Sequence, residues 1–360
     1  MNIEPSRILV MAPSWVGDVV MATPAFRSLR KGFEAAHITV AIRRNARPVL
    51  EDSPWFDEIE AVSAEEHTFF GTLRLGARLR RRVFDLGVLL TNSFRTAVLM
   101  RLAHVRHIVG YSREARGFLL SERLKPLRRD GKFVPAPMVD YYLELCRRLG
   151  CDVTDRRLEL FHRDELMGEF DDFSRRRGID WSRRVVVMNP GASFGDSKCW
   201  PTVHFARAAE MLSEERDIQV VVICAPAEQA LAQSVSEEAR CEVVSLHDEP
   251  AGLDLLKVLI DRAALLITGD TGPRHYAAAF DTPVVTIFGP TDPRWSDTQF
   301  EKERIVSVDV ECAPCQLKRC PVDHRCMRWV RPEMVVDAAR ELLRKHPKSK
   351  RGRTVPGATR

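Results

Sequence analysis

The sequence predicts an α/β fold of two Rossmann-like domains, each an open parallel sheet, facing a central cleft. Short apolar runs of strand length alternate with helix-length segments, the pattern of parallel strands joined by crossover helices. The alternation runs once to about residue 149, breaks in a charge-rich stretch, and restarts at Arg184. At 360 residues the chain also exceeds one ordinary domain and suits two.

In the first half, strands are expected at Arg7–Met11, His37–Ile42, Asp57–Val62, Asp85–Leu90 and His107–Tyr111. Helical segments follow the first strand, span Thr68–Arg82, and close the domain at Met138–Leu149. Residues 150–182, with the run Arg175-Arg176-Arg177-Gly178, read as the hinge region. The second half starts with a strand at Arg184–Met188, the loop Asn189–Trp200 and a helix at Thr202–Leu212. Further strands are expected at Ile218–Ile223 and Glu242–Leu246, with helices from Ala227, at Asp254–Arg262 and at Pro332–Lys345. The domains are thus placed at 1–175 and 176–345, with 346–360 as a disordered basic tail.

Composition narrows the function classes. The apolar fraction of 45% fills two cores, and no run of some 18 apolar residues spans a membrane. The N-terminus lacks a signal-peptide layout, so a cytoplasmic protein is expected. Residues 1–180 carry 30 Lys and Arg against 25 Asp and Glu, whereas residues 181–343 carry 18 against 25. The basic first half suits an anionic partner such as a charged glycolipid or an acidic membrane surface. Nucleic acid is not expected, because aromatics are not interleaved with the Arg runs.

The chain is organised around Leu265–Phe288, which reads as strand, tight turn, short helix and second strand. Gly269, Asp270, Thr271 and Gly272 form the turn, with Pro273 suited to the first helical position. Small residues let a phosphate approach backbone N–H groups at the positive helix end. Asp270 can accept hydrogen bonds from sugar hydroxyls, and His275 lies on the first helical turn. The plain alternative is a capped crossover helix that binds nothing.

Other strand ends carry loops of similar character. In PSWVGDVVMATPAF, Asp18 stands near a helix start, either as a cap or as a base that deprotonates a hydroxyl. Its single glycine, Gly17, excludes a dinucleotide or Walker loop. In NPGASFGDSKCWP, Ser193 can donate a hydrogen bond and Lys198 can set its ammonium against a departing diphosphate, unless it is simply a surface lysine. Glu228 either holds ribose hydroxyls or stabilises the first turn of its helix.

Nine scattered cysteines do not make a disulfide scaffold. The spacing Cys312-x2-Cys315-x4-Cys320-x5-Cys326 is consistent with a structural zinc site, with reduced thiols, or with disulfides.

Together, PSWVGDVVMATPAFRSLR, LLTNSFRTAVLMRLAHVRHIVGYSREARGFLL, NPGASFGDSKCWP, GDTGPRHYAAAFDTPVVTIFGPTDP and the cysteine-bearing end resemble glycosyltransferase family nine. These are the heptosyltransferases of lipopolysaccharide inner-core synthesis in Gram-negative bacteria. The resemblance implies a GT-B type fold and inverting transfer of heptose from ADP-L-glycero-D-manno-heptose, with no cofactor and no divalent metal in the chemistry. It implies that Asp18 is the general base and that Ser193 and Lys198 contact the donor phosphates. It assigns Glu228 to the ribose, and Asp270, Thr271, Gly272 and His275 to heptose and pyrophosphate. The acceptor implied is a Kdo-containing lipid A inner-core glycolipid, reached from the cytoplasmic face of the inner membrane. Asn92, Ser93, Arg95, Arg113 and Arg116 are its candidate contacts. Two departures stand out. Cys224-Ala225-Pro226 replaces the family's Gly-Gly-Pro turn, and Arg274 precedes the motif histidine where an apolar residue is usual. Competing readings are a family transferase with another ADP-sugar or core acceptor, and a nucleotide-sugar binding protein without catalysis.

Overall fold

Apolar runs buried on both faces become parallel strands, and two such sets organise the chain. The computed structural model describes residues 4–347. One unit comprises the residues up to Glu159 with Arg294–Thr298, and the other Leu160–Pro293 with the residues from Gln299 on.

In the first unit the elements run β1 (Arg7–Met11), α1 (Val16–Met21), α2 (Thr23–Gly32), β2 (His37–Arg43), α3 (Arg47–Leu50) and β3 (Glu58–Val62). They continue with α4 (Phe69–Arg80), β4 (Leu86–Leu89), α5 (Phe94–Leu102), β5 (His107–Tyr111) and β6 (Glu122–Leu124). A small hairpin of β7 (Arg128–Arg129) and β8 (Lys132–Phe133) precedes α6 (Met138–Arg148). The sheet order is β3-β2-β1-β4-β5-β6, all parallel, with Leu9 paired to Thr39 on one side and Gly87 on the other. Order reverses at β1 and β4, the crevice where open α/β sheets present ligand loops. Arg27 of α2 pairs with Asp155 and Glu159 at 3.0 Å each and donates to two backbone carbonyls, fastening residues 155–159 to this unit.

The second unit runs α7 (Glu165–Arg176), β9 (Arg184–Asn189), α8 (Thr202–Ser213), β10 (Ile218–Val222), α9 (Gln229–Glu238), β11 (Val244–Ser245) and α10 (Leu253–Arg262). Then come β12 (Leu265–Gly269), α11 (Gly272–Ala279), β13 (Val284–Ile287), β14 (Glu303–Val306), α12 (Arg325–Arg328) and α13 (Pro332–Lys345). The order β11-β10-β9-β12-β13-β14 repeats the topology of the first sheet. Val186, Met188, Val220, Val222, Leu265 and Ile267 supply its core.

The expected strands recur within a residue or two, with two differences of substance. Residues 150–182, read as a hinge, contain α7, whose Leu166, Phe170 and Phe173 lie at helical spacing and are buried. Arg262 of α10 pairs with Asp171 of α7 at 2.5 Å, so this helix is part of the second unit. The short strands β6, β7, β8 and β14 were also not foreseen. The tail expected at 346–360 lies, from residue 348, outside the described residues. No helix among the described residues is long and apolar enough to cross a membrane.

Trp200 anchors the second core at 2% exposure, donating its indole N–H to Val330 O at 2.9 Å and meeting Phe205 edge-on. Trp200→Ala is expected to destabilise this unit by about 3–5 kcal/mol in urea unfolding, and Trp200→Phe by clearly less.

Candidate functional site

The second unit brings its strand-end loops to one carboxylate. The wholly buried β12 ends at Gly269, and the next residue, Asp270, accepts at its carboxylate Oδ2 from Lys198 Nζ at 2.6 Å and from Thr291 Oγ1 at 2.9 Å. Lys198 also donates to Asp270 O at 2.9 Å and lies 4.8 Å from the Phe194 ring centroid. Arg274 Nη1 stands 3.3 Å from Asp270 Oδ1. Burial pushes the Asp270 carboxyl up, but the charges of Lys198 and Arg274 outweigh it and hold the group well below the usual carboxylate range.

Arg274 neither faces solvent nor reaches for a phosphate. It is 2% exposed, and its Nε and Nη2 clamp Glu303 Oε1 and Oε2 at 2.6 and 2.9 Å. The Thr286 hydroxyl donates to the same Glu303 carboxylate. A chain of alternating charge thus runs Lys198, Asp270, Arg274, Glu303. Asp270, expected to meet sugar hydroxyls, here has both oxygens engaged and holds Lys198 instead.

Thr271 and Gly272 open α11 with no side-chain cap and with Pro273 in the first turn, so the helix start presents backbone N–H groups. The Thr271 hydroxyl lies 2.9 Å from that of Thr268 and 3.2 Å from Asn189 Nδ2. Asn189 also donates to Gly191 O and so ties the loop after β9 to the turn after β12. A Cβ at Gly191 would fall 2.0 Å from Glu228 Oε2, which makes that loop the floor beneath this carboxylate. Glu228 Oε2 accepts from Ala225 N at 3.2 Å. Burial raises the Glu228 carboxyl. Ser193 is exposed on the same loop as Lys198. His275 is buried with Nδ1 unpartnered, and burial together with the Arg274 charge pushes its imidazole down to about 3, so it is neutral at working pH.

In the first unit Asp18 lies in the first turn of α1, but Trp15 is the N-cap residue. Tyr142, buried on α6, lies near the Asp18 carboxylate, and burial followed by the Asp18 charge pushes its phenol well up. Asn92 Oδ1 accepts from Tyr141 Oη at 2.8 Å. The Arg113 guanidinium stacks 4.1 Å above the Phe133 ring. Arg95 contacts His67 Nδ1. Arg116 departs from expectation. It is fully buried, with Nε on Tyr111 O at 2.9 Å and Nη1 on Ser93 O at 3.2 Å, and burial lowers its guanidinium to about 10. It braces the Ser93 loop rather than facing a ligand.

The structure does not gather Cys312, Cys315, Cys320 and Cys326 into a metal centre. All nine cysteines are free thiols, and no group of three or more His, Cys, Asp or Glu among the described residues is set to hold a metal ion. Burial first, then the neighbouring thiols, raises Cys326 to about 11. Asn189, Tyr142, Thr291 and Glu303 escaped the sequence reading. Only Asn189, an amide at a strand end before Pro-Gly, carried a local signal.

Two Rossmann-like units of this topology are the halves of a GT-B type glycosyltransferase, and similarity to known proteins bears this out. A solved family 9 glycosyltransferase of Veillonella parvula superposes with a TM-score of 0.82 at 22% identity, over 96% of this chain and 99% of that one. Residues 72–325 match glycosyltransferase family 9 (heptosyltransferase), and the chain belongs to that family. Lipooligosaccharide heptosyltransferase 2 of Haemophilus influenzae is 27% identical over 352 residues, covering 94% of this chain and 99% of that protein. The solved ADP-heptose LPS heptosyltransferase II of E. coli matches with a TM-score of 0.78 and 25% identity over 95% and 100% of the two chains.

Arg274→Leu, which strands a buried Glu303, is expected to cost about 3–5 kcal/mol in urea unfolding. Arg274→Leu with Glu303→Leu is expected to recover most of it. The depressed His275 leaves stability intact above the unfolded value of about 6.5 and removes it as pH falls toward about 3. His275→Asn is therefore expected to flatten the acid side of the stability–pH profile, measured by unfolding between those values.

Proposed function

We propose that the protein transfers heptose, with inversion, from ADP-L-glycero-D-manno-heptose to the inner-core heptose of lipopolysaccharide, as a heptosyltransferase of the second type. The observation that carries this reading is the Lys198–Asp270 pair beside the uncapped start of α11. That arrangement supplies an ammonium and backbone donors for a diphosphate whose negative charge grows as it leaves. The similarity to heptosyltransferases 2 along nearly the whole chain supports the choice of sugar and acceptor.

In this mechanism Asp18, with the Tyr142 phenol nearby, takes the proton from an acceptor hydroxyl. The oxygen attacks the anomeric carbon from the face opposite ADP. Lys198 exchanges Asp270 for the diphosphate, and the amides at Thr271 and Gly272 share its charge. Ser193 adds a donor, Glu228 holds the ribose, and His275, neutral at working pH, adds no cation. The cationic Lys198 and the helix dipole serve the leaving group, so the reaction is assigned no divalent metal. Asn92, Ser93, Arg95 and Arg113 receive the acidic groups of a Kdo-containing lipid A acceptor at the cytoplasmic face of the inner membrane.

Mass spectrometry of purified inner-core acceptor after incubation with ADP-heptose is expected to show one added heptose. A product formed only from another ADP-sugar or core, or donor binding without product, would overturn the reading. Asp18→Asn is expected to fold and bind ADP while transferring at least ~10²-fold more slowly.

A further inference from the structure

One face of the first unit takes no part in the reaction proposed above. Between His67 and Arg113 eight arginines stand against a single acid, Asp85. That acid is engaged by Ser6 and Arg106, while Arg78 and Arg82 turn to Glu58, Glu60 and Glu66. Arg74 and Arg80 on α4, Arg81 directly after it and Arg101 on α5 are exposed, and none has a carboxylate partner among the described residues.

The same helix begins with Phe69 and Phe70, 74% and 72% exposed and packed edge-on at 5.5 Å between centroids. Phe70, Leu73, Arg74, Ala77 and Arg81 follow at helical spacing, all exposed, while Leu75, Gly76 and Leu79 are buried beneath them. Leu73, Ala77, Arg80, Arg81, Arg101 and Leu102 line a shallow cavity of about 590 Å³ on this surface.

We propose that this α4–α5 face docks the protein on an anionic lipid bilayer. Charge complementarity selects that occupant: unpaired guanidinium groups attract lipid phosphates, while neighbouring aromatic rings enter the boundary between headgroups and acyl chains. Solvent-exposed phenylalanines beside unpaired cations answer both demands at once, which an ordinary solvated face does not. The face also adjoins the acceptor loop, because His67, just before α4, contacts Arg95 in the first turn of α5. A glycolipid anchored in the bilayer would present its sugars to Asn92, Ser93 and Arg95. The proposal takes its purpose from the glycolipid acceptor reading, but its test does not depend on it.

The test is flotation of the full-length protein with phosphatidylcholine vesicles, with and without phosphatidylglycerol. Wild type is expected to float with the phosphatidylglycerol vesicles and to be released by salt. The variant Arg74→Glu, Arg80→Glu, Arg81→Glu is expected to bind about a hundredfold more weakly. Phe69→Ser with Phe70→Ser is expected to weaken binding while leaving its salt dependence. Both variants are expected to keep the wild-type circular dichroism, ADP affinity and transfer to a delipidated acceptor. Changing the basic residues after His346 to Gln is expected to leave most of the binding. Failure of wild type to bind phosphatidylglycerol vesicles, undiminished binding by the triple variant, or loss that follows the tail substitutions alone would overturn the proposal. So would a concentration-dependent dimer that the Phe substitutions abolish, in a protein that ignores vesicles. Transfer to the delipidated acceptor reports on the catalytic reading separately.

Discussion

The second unit is built around a buried negative charge that must be neutralised where it stands. Asp270 lies just beyond the end of a fully buried strand, and an isolated carboxylate there would be prohibitively costly to desolvate. Lys198 answers on one side and Arg274 on the other, while Glu303 balances Arg274 in turn. The loop after β9, the turn after β12 and the edge strand β14 are therefore held to one another by charge as well as by backbone pairing. Lys198 is kept close to the start of α11 before any ligand arrives.

The same arrangement bears on chemistry. A lysine on a flexible stem loses conformational freedom when it meets a diphosphate, and a partner that already confines it reduces that loss. Asp270 does so without matching the charge of a diphosphate, which leaves the ammonium exchangeable. His275 sits beside this chain of charges and is kept neutral by burial and by Arg274, so the cationic part of the cradle is Lys198 and the helix dipole. In the first unit the Tyr142 phenol gives Asp18 a fixed neighbour from a different helix.

Most of the two sheets was legible because buried parallel strands are nearly unbroken apolar runs, as in Arg184–Asn189 and Leu265–Gly269. The helix α7 was hidden because its charged residues outnumber Leu166, Phe170 and Phe173, although those three carry the helical period. The strands β6 and β14 are short and partly polar, and only their place beside β5 and β13 makes them strands. In the site, the turn at Gly269–Gly272 and the position of Lys198 followed from glycine placement at strand ends. The partner of Arg274 did not, because Glu303 lies 29 residues further on and reaches it through the folded sheet. Arg116, in a basic stretch, reads as surface until the backbone carbonyls of Tyr111 and Ser93 are seen to surround it.

A crystal structure of the protein with ADP tests the central claim most directly. The account predicts the diphosphate at the start of α11, with Lys198 Nζ moved from the Asp270 carboxylate to a phosphate oxygen at about 2.7–3.2 Å. A diphosphate bound away from that turn, with Lys198 still on Asp270, would contradict it.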